Sequence, residues 1–185
     1  MYDIESIKKY LKNNLSEFRY NHSLKVAEES KKLAICYNYD SEKAYVTGLI
    51  HDIAKEFSDE ENIKYITKYN LPETLLNPDL NPIIHADIGA VVAKELYHID
   101  DEMYTAIKYH STGNFPMSIL EKIIYVADKI ARDTDDPVIL KEQKLAYTNL
   151  DKTLLMILLD LKQFLEKNGK QMQPITLKLI DNLLN

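Results

Sequence analysis

Residues 43–57 read KAYVTGLIHDIAKEF, an apolar helical pattern that leads directly into the adjacent pair His51 and Asp52. Apolar residues that recur every three or four positions predict a helix with one face turned to the core. A carboxylate on such a pattern is costly to bury unless it is paired or bound to a metal ion. This stretch therefore predicts a helical protein with a polar, metal-binding centre.

The same periodicity continues on both sides of this stretch and predicts helices along most of the chain. The expected ranges, opened by capping residues where the sequence offers them, are about 3–15, 16–37, 41–52, 58–70, 84–97, 100–111 and 118–130. Leu71 to Pro82 is proline-rich and is expected to be a surface loop with at most one short helical turn. A long apolar pattern from about Pro137 to Lys167 follows, and Pro174 begins a last amphipathic helix.

Length and glycine content agree with an all-α fold in a single domain. The chain has 185 residues, which suits one domain with a substantial core. Only four residues are glycine, which argues against a strand-and-turn protein. Neither GxxxxGK nor GxGxxG occurs, so neither a P-loop nor a Rossmann nucleotide site is expected. We predict one helical bundle over residues 1–185.

The formal net charge is −6, so the protein as a whole has no electrostatic reason to bind nucleic acid or an anionic membrane. No apolar run approaches the roughly 20 residues of a membrane span, and the N-terminus lacks the order of a signal peptide. The single cysteine, Cys36, excludes an internal disulfide and fits a cytoplasmic protein. It is expected to be a small buried core residue.

Histidines and aspartates form the most informative set in the sequence. Six of them lie on or beside apolar helical patterns, in the order His22, His51, Asp52, His85, His110 and Asp128. A lone interior histidine is usually an ordinary hydrogen-bonded residue, but this ordered set on successive predicted helices favours a metal site. Imidazole and carboxylate ligands suit Fe, Mn, Co or Zn. His98, beside acidic residues at a helix end, falls outside the set and is expected to be solvated.

The adjacency of His51 and Asp52 has a chemical interpretation. Neighbours on a helix diverge by about 100°, so both reach one ion only if it lies over the helix surface between their directions. Asp52 can then bridge toward a second ion or orient a bound water, which makes it the candidate catalytic residue. A metal ion lowers the pKa of its water toward neutrality and so supplies hydroxide as a nucleophile.

Together these motifs resemble the HD-domain superfamily of metal phosphohydrolases and, more narrowly, the bacterial YqeK family of symmetrical dinucleoside tetraphosphate hydrolases. The segments that carry the resemblance span about residues 19–130 and read RYNHS, KAYVTGLIHDIAKEF, IIHADIGAVVAKELY, AIKYHSTGN and MSILEKIIYVADKI. The resemblance implies an all-α, HD-type bundle that binds one or two iron ions, for which Mn, Co or Zn could substitute. It also implies that the enzyme splits diadenosine tetraphosphate (Ap4A) into two ADP.

Carried over by position, the resemblance also implies roles for the polar set. Four residues would be the primary metal ligands, namely His22, His51, Asp52 and Asp128. His85 and His110 would complete a second metal site or contact phosphates. Arg19, three residues before His22 and so on the same helical face, would touch the nucleotide.

Two further basic residues are candidates for binding phosphate. Lys55, one turn after His51, could place a cation at the cleft, although a solvated surface lysine is an equally good explanation. The family usually continues its last motif with I-E-P and an arginine six residues after the aspartate. Here the run is ADKIARDTD, with Thr134 at that position, and Arg132 is the candidate replacement.

Other functions stay open at this point. The same ligands would serve an HD phosphohydrolase that acts on a deoxynucleotide or on (p)ppGpp. A nucleotide-binding regulator with poor turnover would be expected to have lost a ligand, and a purely structural bundle would bury six polar groups without a cation. Tyr20, Tyr109 and Phe115 could stack on a base, although core packing is the better explanation for any one of them. The 13 tyrosines also leave room for a homodimer interface.

Overall fold

The helices begin largely where the sequence offers capping side chains. A computed structural model describes residues 2–77 and 80–184, and within them the chain forms ten α-helices, a short 3-10 helix at Glu73–Leu76 and no strand. The all-α prediction is therefore confirmed. The helices are α1 Ile4–Asn14, α2 Glu17–Cys36, α3 Ser41–Ile50, α4 Asp59–Tyr69, α5 Asn81–Tyr97, α6 Asp101–Tyr109, α7 Ile119–Ile130, α8 Pro137–Ala146, α9 Leu150–Lys167 and α10 Pro174–Leu184.

Side-chain caps confirm four of the predicted helix starts. The Asp3 carboxylate accepts from the backbone of α1, and the Ser16 hydroxyl accepts from that of α2. Ser58 and Ser118 each form a reciprocal capping box with a glutamate three residues on, at the starts of α4 and α7. Each cap satisfies backbone N–H groups that the first helical turn cannot pair.

Helix α3 ends one residue before the His51-Asp52 pair. Residues 51–56 form turns in which Ile53 N–H donates to the Ile50 carbonyl and Lys55 N–H to that of Asp52. His51 Nδ1 lies 2.7 Å from the Gly48 carbonyl oxygen, the acceptor that the N–H of residue 52 would use in a continuing α-helix. The pair therefore sits on a turn rather than on a regular helix.

Two other ranges differ from the prediction. Helix α5 begins at Asn81, earlier than expected, because Pro82 lies in the first turn, where no N–H is needed. The rest of the predicted 71–82 loop contains the 3-10 helix, and Pro78 and Asp79 lie outside the described residues. The pattern of residues 137–167 divides into α8 and α9, because Asn149 leaves helical geometry and caps α9.

The core is centred on α2, α3 and α7. Helix α3 passes close to α2 at Gly48, where a Cβ atom would lie 2.7 Å from Ser30 Oγ and 3.0 Å from the Val26 carbonyl oxygen. Leu120, Ile123 and Val126 of α7 are completely buried. These contacts fix the three elements that carry most of the polar set.

The last helix packs on the loop that follows α6. Thr176 Oγ1 donates to the Thr112 carbonyl at 2.6 Å. Gly113, at a positive φ of 73°, leaves room for Leu179, since a Cβ there would lie 2.6 Å from Leu179 Cδ2. Helix α10 therefore anchors the loop after His110.

The prediction that Cys36 is buried was wrong. It is exposed at the last residue of α2, where its thiol lies 3.2 Å from the Tyr147 carbonyl oxygen. Across the part of the chain that the structure describes, every helix is too short or too polar to cross a bilayer.

Replacing Ser118 by alanine is expected to lower the free energy of unfolding by about 1 kcal/mol, because Glu121 N–H loses its acceptor. For a chain of this size the melting temperature should fall by about 2–4 °C. The control is Ser6→Ala, the same change at an exposed position within α1. Equal effects of the two changes in thermal unfolding would contradict the role of the cap.

Glu142→Gln should change how stability depends on pH. Burial, with Asp160 nearby, raises the pKa of the Glu142 carboxyl from 4.5 to about 7. The folded state then holds this proton more tightly than the unfolded state, so the stability it contributes is complete below pH 4.5 and is lost as the pH rises to 7. In thermal unfolding, the stability of Glu142→Gln relative to the wild type should increase as the pH rises from 4.5 to 7. Glu166→Gln, a change at an exposed position, should show no such increase.

Candidate metal centre

Five elements bring the predicted polar set together. Helix α2 supplies His22, the turn after α3 supplies the His51-Asp52 pair, and α7 supplies Asp128. The remaining two histidines come from the start of α5 and the end of α6. Four of the six side chains are almost completely buried, namely His51, Asp52, His85 and His110.

One group surrounds an oxygen of Asp128. His22 Nε2 lies 2.9 Å and His51 Nε2 lies 3.4 Å from Asp128 Oδ1. Ligand atoms of all three residues lie within 4.8 Å of one another, close enough to share one ion.

A second group surrounds Asp52. Its Oδ1 lies 3.2 Å from His85 Nε2 and 3.5 Å from His110 Nε2, and its Oδ2 lies 3.5 Å from His51 Nε2. Oδ2 also lies 4.0 Å from His22 Nε2. The Asp52 carboxylate thus lies within 4.0 Å of all four histidines of the set, where it could help to hold a cation.

Backbone carbonyls orient two of the imidazole rings. His51 Nδ1 lies 2.7 Å from the Gly48 carbonyl oxygen, and His110 Nδ1 lies 2.7 Å from that of Ile107. A carbonyl oxygen can only accept, so each Nδ1 carries a proton and each ring turns its Nε2 toward the centre. This arrangement is usual for histidines that bind metal ions.

The donor set fits a cation. His51 Nε2 and Asp52 Oδ1 are buried and have no hydrogen-bond partner in the described residues. Leaving buried acceptors unpaired is costly, and a cation between them would satisfy both. Nitrogen and oxygen ligands without thiolate suit Fe, Mn, Co or Zn.

Both carboxylates are ionised despite their burial. Burial alone would raise the pKa of Asp52, but the electrostatic interaction with His51 and the close imidazoles of His110 and His85 hold it well below its usual range. Burial likewise opposes ionisation of Asp128, and the Lys129 ammonium outweighs that effect and keeps its pKa low. The centre therefore presents two negative charges.

The pKa values of the three most buried imidazoles shift in different directions. Burial lowers the pKa of His85 to about 4 and also lowers that of His110, so both rings are neutral at pH 7. For His51 burial also opposes the charged form, but the charges of Asp52 and Asp128 outweigh it and raise the pKa. A cation bound at His51 Nε2 would take the place of the proton that this nitrogen otherwise gains.

The structure places two of the three predicted basic residues at the centre. Arg19 Nη1 donates to Asp52 Oδ2 at 2.9 Å, and Lys55 Nζ lies 3.0 Å from His85 Nε2 and 3.9 Å from Asp52 Oδ1. Arg132 is not brought to it. Its exposed guanidinium donates to the Lys129 carbonyl at 2.6 and 2.8 Å and caps the end of α7.

Two residues at the centre were missed by the sequence reasoning. The Lys129 ammonium forms an ion pair with Asp128, and Ser111 Oγ lies 3.2 Å from His110 Nε2. Each directly follows a predicted ligand in the sequence, and that adjacency was the only available signal. His98, in contrast, is exposed, as expected, and lies outside the set. It ends α5 in a left-handed backbone conformation.

Known proteins match the chain over the segments that carry these residues. The HD domain family matches residues 19–133. The chain is 37% identical over 158 residues to a symmetrical bis(5'-nucleosyl)-tetraphosphatase of Staphylococcus aureus, which covers 84% of this chain and 81% of the relative. A Bacillus subtilis protein of the same name is 36% identical over 168 residues, 90% and 89% of the two chains. A Clostridium acetobutylicum crystal structure, described as an HD superfamily hydrolase involved in NAD metabolism, has a TM-score of 0.90 and 35% identity and covers 100% of this chain and 98% of its own.

Metal binding should stabilise the fold, because the ligands are assembled only in the folded chain. We expect Mn²⁺ at about a hundredfold excess over its Kd to add about 2.7 kcal/mol to a metal-free sample. The melting temperature should then rise by about 5–10 °C. Asp128→Asn should reduce this shift, and His98→Asn, a change that the left-handed position tolerates, should keep it. An equal shift in both variants would place the ion elsewhere.

Proposed function

Because the chain belongs to the HD-domain family, we propose that it is a metal-dependent hydrolase that cleaves Ap4A symmetrically. Three relatives named symmetrical bis(5'-nucleosyl)-tetraphosphatase share 33–37% identity with it, each over at least 81% of both chains. The observation that carries the proposal is the Asp52 carboxylate, which is buried among four histidines and whose Oδ1 has no hydrogen-bond partner among the described residues. A structural bundle would gain nothing from such an atom.

In the proposed site, His22, His51, Asp52 and Asp128 hold the first ion, and His85 and His110 face a second ion or the phosphates. A metal ion bound there supplies a Lewis acid and an activated water. We propose iron as the native ion, with Mn, Co or Zn as substitutes. Elemental analysis of protein purified without added metal checks this choice.

The basic residues would neutralise the substrate. Arg19 pairs with Asp52 in the metal-free protein, and a cation on that carboxylate would free the guanidinium for a phosphate, to which its two parallel N–H groups are suited. Lys55 lies on the other side of the carboxylate, beside His85. Lys129 adds a third positive charge next to Asp128. Arg132 stays a weaker candidate, because the cap on α7 occupies its guanidinium.

The reaction adds one water to the central anhydride of Ap4A. Oxygen of the water bonds to one of the two inner phosphorus atoms, the bridging P–O bond breaks, and two ADP result. Asp52 is ionised and lies centrally, so it can orient the water by accepting a hydrogen bond from it, and the proton of the water is released to solvent. ADP leaves as a phosphate anion, so strong acid catalysis is not required. Charge stabilisation and positioning supply most of the rate in such phosphoryl transfers.

Three wider expectations complete the proposal. Residues of α9 and α10, such as Leu158 and Leu179, belong to the same buried core as α7, which supports one HD domain over residues 1–185. We propose a cytoplasmic location, which the single cysteine supports. The homodimer stays a prediction, which light scattering checks.

Product analysis of the metal-loaded protein with Ap4A tests the function. We expect ADP as the sole early product on anion-exchange chromatography. His51→Ala and Asp52→Ala should each lower kcat by about a hundredfold or more, whereas His98→Asn should leave it unchanged.

Other products would point to other functions. ATP plus AMP would mean that the cleaved bond is not the central one. Turnover of a deoxynucleoside monophosphate, a dNTP or ppGpp without turnover of Ap4A would keep the HD hydrolase and discard the dinucleotide substrate. Metal binding without turnover of any of them would favour the regulator.

A further inference from the structure

A cavity of about 400 Å³ adjoins the centre on its Lys55 side. It lies between the turn after α3 and the first turns of α4 and α5. Lys55 and His85 belong both to its wall and to the centre. The volume falls within the range of pockets that hold small organic ligands, about 300–1,000 Å³.

The rest of the wall suits a purine base better than a further phosphate. Phe57 offers a partly exposed aromatic ring, and Ile84 an aliphatic surface. Asn62 is 9% exposed, and its Oδ1 is buried without a hydrogen-bond partner in the described residues. A carboxamide pairs with the donor and acceptor edge of adenine, and aromatic rings stack on bases. Asp59 at the same wall would repel a phosphate that entered deeply.

Different basic side chains lie on the two sides of the Asp52 carboxylate. Arg19 contacts Oδ2, whereas Lys55 and His85 lie on the Oδ1 side. A linear polyphosphate that crosses the carboxylate therefore runs from the Arg19 side to the Lys55 side. A substrate with a nucleoside at each end then needs a place for one of them beyond Lys55.

We propose that this cavity binds the adenosine of the ADP half on the Lys55 side of the cleaved bond, with Phe57 stacking on the base and Asn62 reading its edge. This inference rests on the proposed function and adds a nucleoside subsite to it. The subsite also explains symmetric cleavage in physical terms, because a base held at a fixed distance from Asp52 determines which phosphate bond lies over that carboxylate.

The test compares two substrates that differ by one adenosine. Ap4A fills both ends, whereas adenosine 5'-tetraphosphate has one base and can still bind with it on the Arg19 side. Asn62→Leu and Phe57→Ala should each lower kcat/KM for Ap4A by about tenfold, as a lost stacking or edge contact predicts. For adenosine 5'-tetraphosphate the change should stay within about twofold. Phe164→Ala, at an exposed ring on α9, is the control for both substrates.

The outcomes separate this subsite from the proposed function. Equal losses on both substrates, or no loss on either, would overturn the subsite while wild-type turnover of Ap4A upholds the function. A wild-type protein that does not cleave Ap4A would instead overturn the function and the subsite with it. Phe57 also stacks on Tyr65 at 5.5 Å between ring centres, so Phe57→Leu provides a variant that keeps apolar volume if the alanine variant unfolds. It should show the same selective loss.

Discussion

A buried carboxylate that remains ionised is the constraint on which the rest of this structure depends. Asp52 is 2% exposed, and its charge is supported by imidazoles from four elements and by the Arg19 guanidinium. Removing a carboxylate from water costs several kcal/mol unless such partners surround it. Helices α2, α5 and α6 and the turn after α3 must therefore meet at one point, and the core serves to hold them there.

Close backbone approach makes that meeting point possible. Gly48 lets α3 pass against α2, and its carbonyl also receives the ring of His51. Gly48 thus sets the spacing of the two helices and orients the ring of His51, a candidate metal ligand. The adjacent pair then occupies a turn, where two neighbouring side chains can face the same centre although on a regular helix they would diverge.

Local signals in the sequence predicted the helices well, because capping is a local interaction. Ser58 and Ser118 each bond to a residue only three positions along the chain, so their capping boxes can be predicted without a tertiary structure. The end of α3 could not be predicted from the sequence, because it depends on the hydrogen bond between the His51 ring and the Gly48 carbonyl of the same helix. The same holds for the exposed face of Cys36, which depends on how the end of α2 lies against residue 147.

At the centre, residue types were predictable and pairings were not. The six histidines and aspartates converge, because each lies on or directly after a helix that packs inward. Which cation lies beside Asp128 depends on the direction of one side chain, so Lys129 was missed. The role of Arg132 as a phosphate contact stays a prediction.

The anchor between Thr176 and the loop after His110 joins residues 64 positions apart. During synthesis the chain reaches His110 long before it reaches α10. A nascent chain can thus assemble the helices that carry the six polar residues before that loop has its final support. The loop after His110 gains this support only once the last helix has been translated.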